Sequence, residues 1–113
     1  MITFSHLGNT LNINGKLIIL EFPIREAFEI SDRVIVLLDP DSNLKRQDQF
    51  KNVIGFDAGG NQVWIADLPT LESTDVYYKA IVGNPLRLFS FCSFGECLVD
   101  PKTGRILSKP YYK

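Results

Sequence analysis

Apolar residues fall along this chain in short runs, separated by clusters of turn-forming residues, and no segment keeps a helical apolar period over three turns. The best-marked unit is Lys51 to Asp67, KNVIGFDAGGNQVWIAD. Before its turn, Ile54 and Phe56 alternate with Val53 and Gly55. After it, Val63 and Ile65 alternate with Trp64 and Ala66. Between them, Asp57-Ala58-Gly59-Gly60 carries turn chemistry. The aspartate carboxylate accepts hydrogen bonds from backbone N–H groups ahead of it, and Gly60 takes the positive φ of a type I turn followed by a bulge. Pairing Asp57 with Asn61 would set Ile54 opposite Trp64.

The same logic covers the rest of the chain. Leu11-Asn12-Ile13 and Lys16 to Phe22 flank Asn14-Gly15, a strong hairpin signal. Pro23 breaks the second run or puts it at an edge. Ile24 to Ile30 fits both helical and strand spacing and leans to strand, being short and uncapped. Arg33 to Leu38, RVIVLL, is dense in β-branched residues and ends at the turn cluster Asp39 to Asn43. Further strands are expected at Val76–Val82, Leu86–Cys92, Cys97–Asp100 and Arg105–Ser108. The polar stretch Leu44 to Phe50 and the acidic stretch Leu68 to Asp75 read as loops. Asp57 to Gly60 and Asp100 to Gly104 look alike, each an aspartate, a few residues, a glycine and then an apolar pair. The pattern predicts a single all-β domain over residues 1–113. It is an antiparallel meander of roughly eight to ten short strands with no long helix, closed as a small barrel or split into a two-sheet sandwich. The run of consecutive hairpins favours the barrel slightly.

RVIVLL, LIIL at Leu17 to Leu20, and LRLFSFC at Leu86 to Cys92 place apolar residues on both faces of a strand. A two-layer β protein needs only one dry face. With no amphipathic helix to cover the second face, the cover is expected from loops 40–50 and 68–75 or from another chain. This points to self-association as a homodimer, or to another protein as partner.

Composition narrows the function. Hydrophobic residues make up 45% of the chain, net charge is −1 and the pI is near 5.7. A phosphate-reading surface needs a basic face, so nucleic acid is not expected. The first residues, MITFSHLGNT, hold no charged-then-apolar leader, and the longest apolar runs fall far short of a membrane span. A soluble, cytoplasmic protein is the expectation.

No nucleotide fingerprint, nucleophile elbow or zincin helix is present. No cofactor or metal is expected, nor is catalysis. His6 stands alone and reads as a terminal residue rather than a general base. Asp39, Asp57, Asp67, Asp75 and Asp100 sit at strand ends, where turns call for aspartate, although a facing pair could do acid–base work. Cys92 and Cys97 would face each other across a symmetric hairpin, as a redox-switchable pair or as two small core residues. Zinc would need four ligands, more than these two and His6 supply. The aromatic residues Trp64, Tyr78, Phe89 and Phe91 are the candidates for an interaction face. Trp64, Tyr78 and Phe91 would equally line a cavity for a small apolar ligand inside a barrel. A non-catalytic interaction module is the first functional expectation, and a small-ligand-binding barrel is the alternative.

Overall fold

The structure is a computed structural model, and it describes residues 2–39, 50–68, 77–90 and 96–108. Eleven strands and no helix occur among them: β1 Phe4–Leu7, β2 Thr10–Ile13, β3 Lys16–Ile19, β4 Ile24–Ile30, β5 Arg33–Leu38, β6 Val53–Phe56, β7 Gln62–Ile65, β8 Tyr78–Val82, β9 Arg87–Ser90, β10 Cys97–Val99 and β11 Ile106–Ser108. All pair antiparallel with chain neighbours, giving a first sheet β1-β2-β3, a central sheet β4-β5-β6-β7 and a third sheet β8-β9-β10-β11. The all-β meander is therefore as the pattern predicts. No sheet closes on itself among the described residues, so packed open sheets replace the barrel.

Tight turns set the registers. Gly8-Asn9 joins β1 to β2 with φ +60° at the glycine, and Asn14-Gly15 joins β2 to β3 with φ +49° and +90°. These are the mirror-type turns whose twist matches a hairpin. Ser31-Asp32 makes the same left-handed turn between β4 and β5 without a glycine, at φ +51° and +62°. The central hairpin closes through Asp57 N–H to Asn61 O at 3.0 Å, with Gly60 at φ +79°. Beyond it the register departs from the expected one. A bulge at Val63 sets Trp64 opposite Gly55 and Ile65 opposite Ile54. The physical reason is room: the indole covers Gly55, where an added Cβ would overlap the ring.

The inner strands β5 and β6 of the central sheet are buried on both faces, and this chain supplies both covers. Val34, Val36, Leu38, Ile54 and Phe56 pack with Leu11 and Ile13 of the first sheet. Ile35, Leu37, Val53 and Trp64 pack with Tyr78, Ile81, Leu88, Cys97 and Val99 of the third. The expectation that loops or a second chain must cover RVIVLL is thereby corrected. The outer sheets of the meander fold back over each face, a topology that strand periodicity does not reveal. Each such side chain, fully buried, contributes roughly 1.5–3 kcal/mol.

Polar groups lock the sheets together. Asn52, just before β6, is fully buried. Its amide donates to Leu38 O at 2.9 Å and Tyr78 O at 2.7 Å, and accepts from Tyr78 N–H at 2.8 Å. It thus joins β5 of the central sheet to β8 of the third through backbone groups of Leu38 and Tyr78. Asn14 does similar work at the other interface. Its side chain accepts from Thr3 N–H at 2.9 Å and donates to Ala58 O at 2.9 Å, tying the β2–β3 turn to the β6–β7 turn.

Candidate functional site

The aromatic candidates separate. Trp64 and Tyr78 share the core between the central and third sheets. The indole N–H of Trp64 donates to Pro101 O at 2.8 Å, and the ring lies against both Gly55 and Gly104, where an added Cβ would overlap it. Trp64 thus clamps the edge of the central sheet to the turn between β10 and β11. The Tyr78 hydroxyl donates to Asp67 O at 2.6 Å. Phe89 pairs with Ala80 on the opposite face of the third sheet from this core and is half-buried. Phe91 lies outside the described residues, as does Cys92. Cys97 is buried, with Leu88 opposite it in the β9–β10 ladder.

The carboxylates disperse to their own turns or ion pairs. Asp67 meets Lys51 at 2.9 Å and Asp39 meets Arg25 at 3.6 Å, both on the surface, where screening leaves such pairs worth little. Asp57 accepts from the N–H groups of Gly59 and Asn61, each at 2.9 Å. The Asn61 N–H is the largest influence on the Asp57 pKa and lowers it. Partial desolvation works against this, while the Asn61 side chain, the Gly59 N–H and the Arg33 charge add to the lowering. Asp100 repeats the arrangement: its Oδ1 accepts from Lys102 N–H at 2.9 Å, and Gly104 has φ +74°. Asp75 lies outside the described residues, and His6 is exposed on β1. Among the described residues no three His, Cys, Asp or Glu side chains cluster in a way that would hold a metal ion. No helix there is long and apolar enough to cross a membrane.

Two surface features stand out instead. The outward face of the first sheet carries Leu7, Leu17 and Ile19, exposed by 85%, 66% and 70%. The ladders align Leu7 with Thr10 and Ile19, and Ser5 with Asn12 and Leu17, so all six residues share this face. It carries no charged residue. The apolar run LIIL had pointed here; Leu7 gave no such signal, because β1 alternates too weakly to read as a strand.

The second feature is an open cleft of about 340 Å³ between the central and third sheets. Ile30 and Ser31 at the β4–β5 turn form one wall. Asn84, Pro85 and Leu86 of the β8–β9 turn form another, and Leu98 to Pro101 with Leu107 complete it. Apolar side chains dominate, and Asp100 is the one charged residue in the lining. Nothing local in the sequence marks this cleft, since its walls come from turns more than fifty residues apart.

No curated protein and no solved structure matches the chain. A family model described as Domain of unknown function (DUF7957) matches residues 1–111, and the chain belongs to that family.

Proposed function

We propose that the protein is a non-catalytic interaction module that self-associates as a weak homodimer through the outer face of its first sheet. The observation that carries this reading is the trio Leu7, Leu17 and Ile19, held exposed on one face while the apolar residues of β5 and β6 are buried. A second copy is the occupant that fits. With Ser5, Thr10 and Asn12 as its only polar members, the face meets itself across a twofold axis without charge repulsion. Sedimentation equilibrium from about 10 µM to about 1 mM tests it, a range that brackets weak association. A reversible dimer abolished by Leu17→Lys with Ile19→Lys is expected. A single-chain mass across the whole range would remove the reading.

A small-ligand reading is the second, favoured by the cleft at Ile30, Leu98 and Leu107. Its volume lies at the lower end of the range for ligand pockets. The barrel interior first expected for an apolar ligand gives way to this hollow between two sheets. Saturable binding of a hydrophobic probe, lost on substituting cleft residues, is the expected result.

A further inference from the structure

Two properties of the cleft, its apolar walls and its single charge, together restrict its ligand. Its walls are apolar: Ile30, Pro85, Leu98 and Leu107 all contribute. Its single charge is negative: Asp100 is half-buried, its Oδ1 is occupied by Lys102 N–H, and among the described residues its Oδ2 accepts no hydrogen bond and it forms no ion pair. Two of its lining residues are non-glycines with positive φ, Ser31 at +51° and Asn84 at +60°. Such backbone costs of order 1 kcal/mol or more and persists only where its surroundings enforce it. Both residues belong to turns that line the cleft.

We propose that this cleft binds a small amphiphilic amine, its alkyl or aryl body against Ile30, Leu98 and Leu107 and its ammonium on the Asp100 carboxylate. The proposal rests on the small-ligand reading and adds the charge of the ligand to it. An ammonium can donate to Oδ2, and a charge-assisted bond beside apolar walls is stronger than one in open water. A carboxylate ligand would face repulsion at the same spot.

Trp64 provides the reporter. It is the sole tryptophan of the chain, and its indole N–H is bonded to Pro101 O, a carbonyl of a lining residue. The full chain is titrated at neutral pH with n-hexylamine, 1-hexanol and hexanoate, read by Trp64 fluorescence and by the single indole N–H resonance. Hexylammonium is expected to saturate about tenfold more tightly than hexanol, with hexanoate weakest. Asp100→Asn keeps the acceptor for Lys102 N–H and removes the charge, so it should equalise hexylamine and hexanol. Leu107→Lys alters a side chain that is already 60% exposed, so it spares the fold, and it should weaken hexylammonium most. Melting curves of both variants confirm that they are folded. Equal affinity for the amine and the alcohol, or tighter binding of hexanoate, overturns the ammonium assignment while the small-ligand reading stands. Absence of a saturable response to any probe overturns both.

Discussion

Replacing Asn52 by leucine should be the most informative single change in the molecule. The side chain is fully buried, and its amide makes three hydrogen bonds, to Leu38 O, Tyr78 O and Tyr78 N–H. Leucine has the same branched heavy-atom skeleton, so the change leaves no cavity and removes the polar groups. Three net hydrogen bonds at about 1 kcal/mol each give about 3 kcal/mol, and burying the Tyr78 N–H without the Asn52 oxygen adds about 1 kcal/mol. The total of about 4 kcal/mol corresponds to a fall in Tm of about 10–20 °C for a domain of this size. Urea unfolding followed by Trp64 fluorescence measures it, since Trp64 sits in the same core as Tyr78. Asn52→Asp adds a check of sign. The carboxylate would still accept from Tyr78 N–H but would face two carbonyl oxygens while buried. Its folded-state pKa would be raised, so this variant should gain stability as pH falls. A loss below about 1 kcal/mol for Asn52→Leu would mean that the amide does not bridge β5 to β8, and that side-chain packing alone joins the sheets.

Three further outcomes follow from the turns and the clamp. Gly55→Ala drives a methyl into the Trp64 indole and should cost about 2–4 kcal/mol, with Trp64→Phe in the same chain recovering part of it; additive losses in this double-mutant cycle would refute the contact. Asp57 has a pKa below its ordinary value of 3.8, so its stabilisation is present above that value and is lost as pH falls through the lower folded one. The Tm gap between wild type and Asp57→Ala should therefore narrow as pH falls below that ordinary value, and a gap that stays constant would refute the assignment. Asn14→Gly preserves the positive φ and removes the side chain that links Thr3 to Ala58, so a loss of about 1–2 kcal/mol is expected in urea unfolding, and a neutral result would show that this bridge contributes nothing.

Local chemistry was the legible part. Asn14-Gly15, Asp57 to Gly60 and Asp100 to Gly104 adopt the turns their residues require, and Ile24 to Ile30 takes the strand rather than the helical reading. RVIVLL signalled its two buried faces, and β5 is buried from Val34 to Leu38. What covers those faces was hidden, because the covering residues lie in other sheets and periodicity reports only that a face is dry. The Val63 bulge was equally silent: one inserted residue leaves alternation intact on either side and moves Trp64 from Ile54 to Gly55. Asn52 looked like one polar residue before a strand, since its partners are 14 and 26 residues away. β1 was missed because Ser5 and His6 interrupt its apolar positions, although Gly8-Asn9 behind it is hairpin chemistry.

The location of the covers also fixes how strong self-association can be. With β5 and β6 already sheltered, the proposed dimer would draw on the outer face of the first sheet. A twofold contact buries Leu7, Leu17 and Ile19 from each copy, six side chains exposed by 66–85% in the monomer. At about 1–2 kcal/mol each, the gross gain is about 6–12 kcal/mol. Association costs at least about 4 kcal/mol in lost translational and rotational freedom, and ordering the six side chains adds at least about 2–3 kcal/mol. The surplus is no more than about 5–6 kcal/mol, so the dissociation constant should be no tighter than about 0.1 mM. Such a contact would form where the chain is concentrated and dissolve on dilution. A dimer that survives at about 1 µM would need about 3 kcal/mol more than this face provides, which would place the interface elsewhere or require an edge strand of the first sheet to pair as well. Leu17→Lys with Ile19→Lys separates those cases: it abolishes a face contact, whereas a dimer held by backbone pairing along an edge would persist.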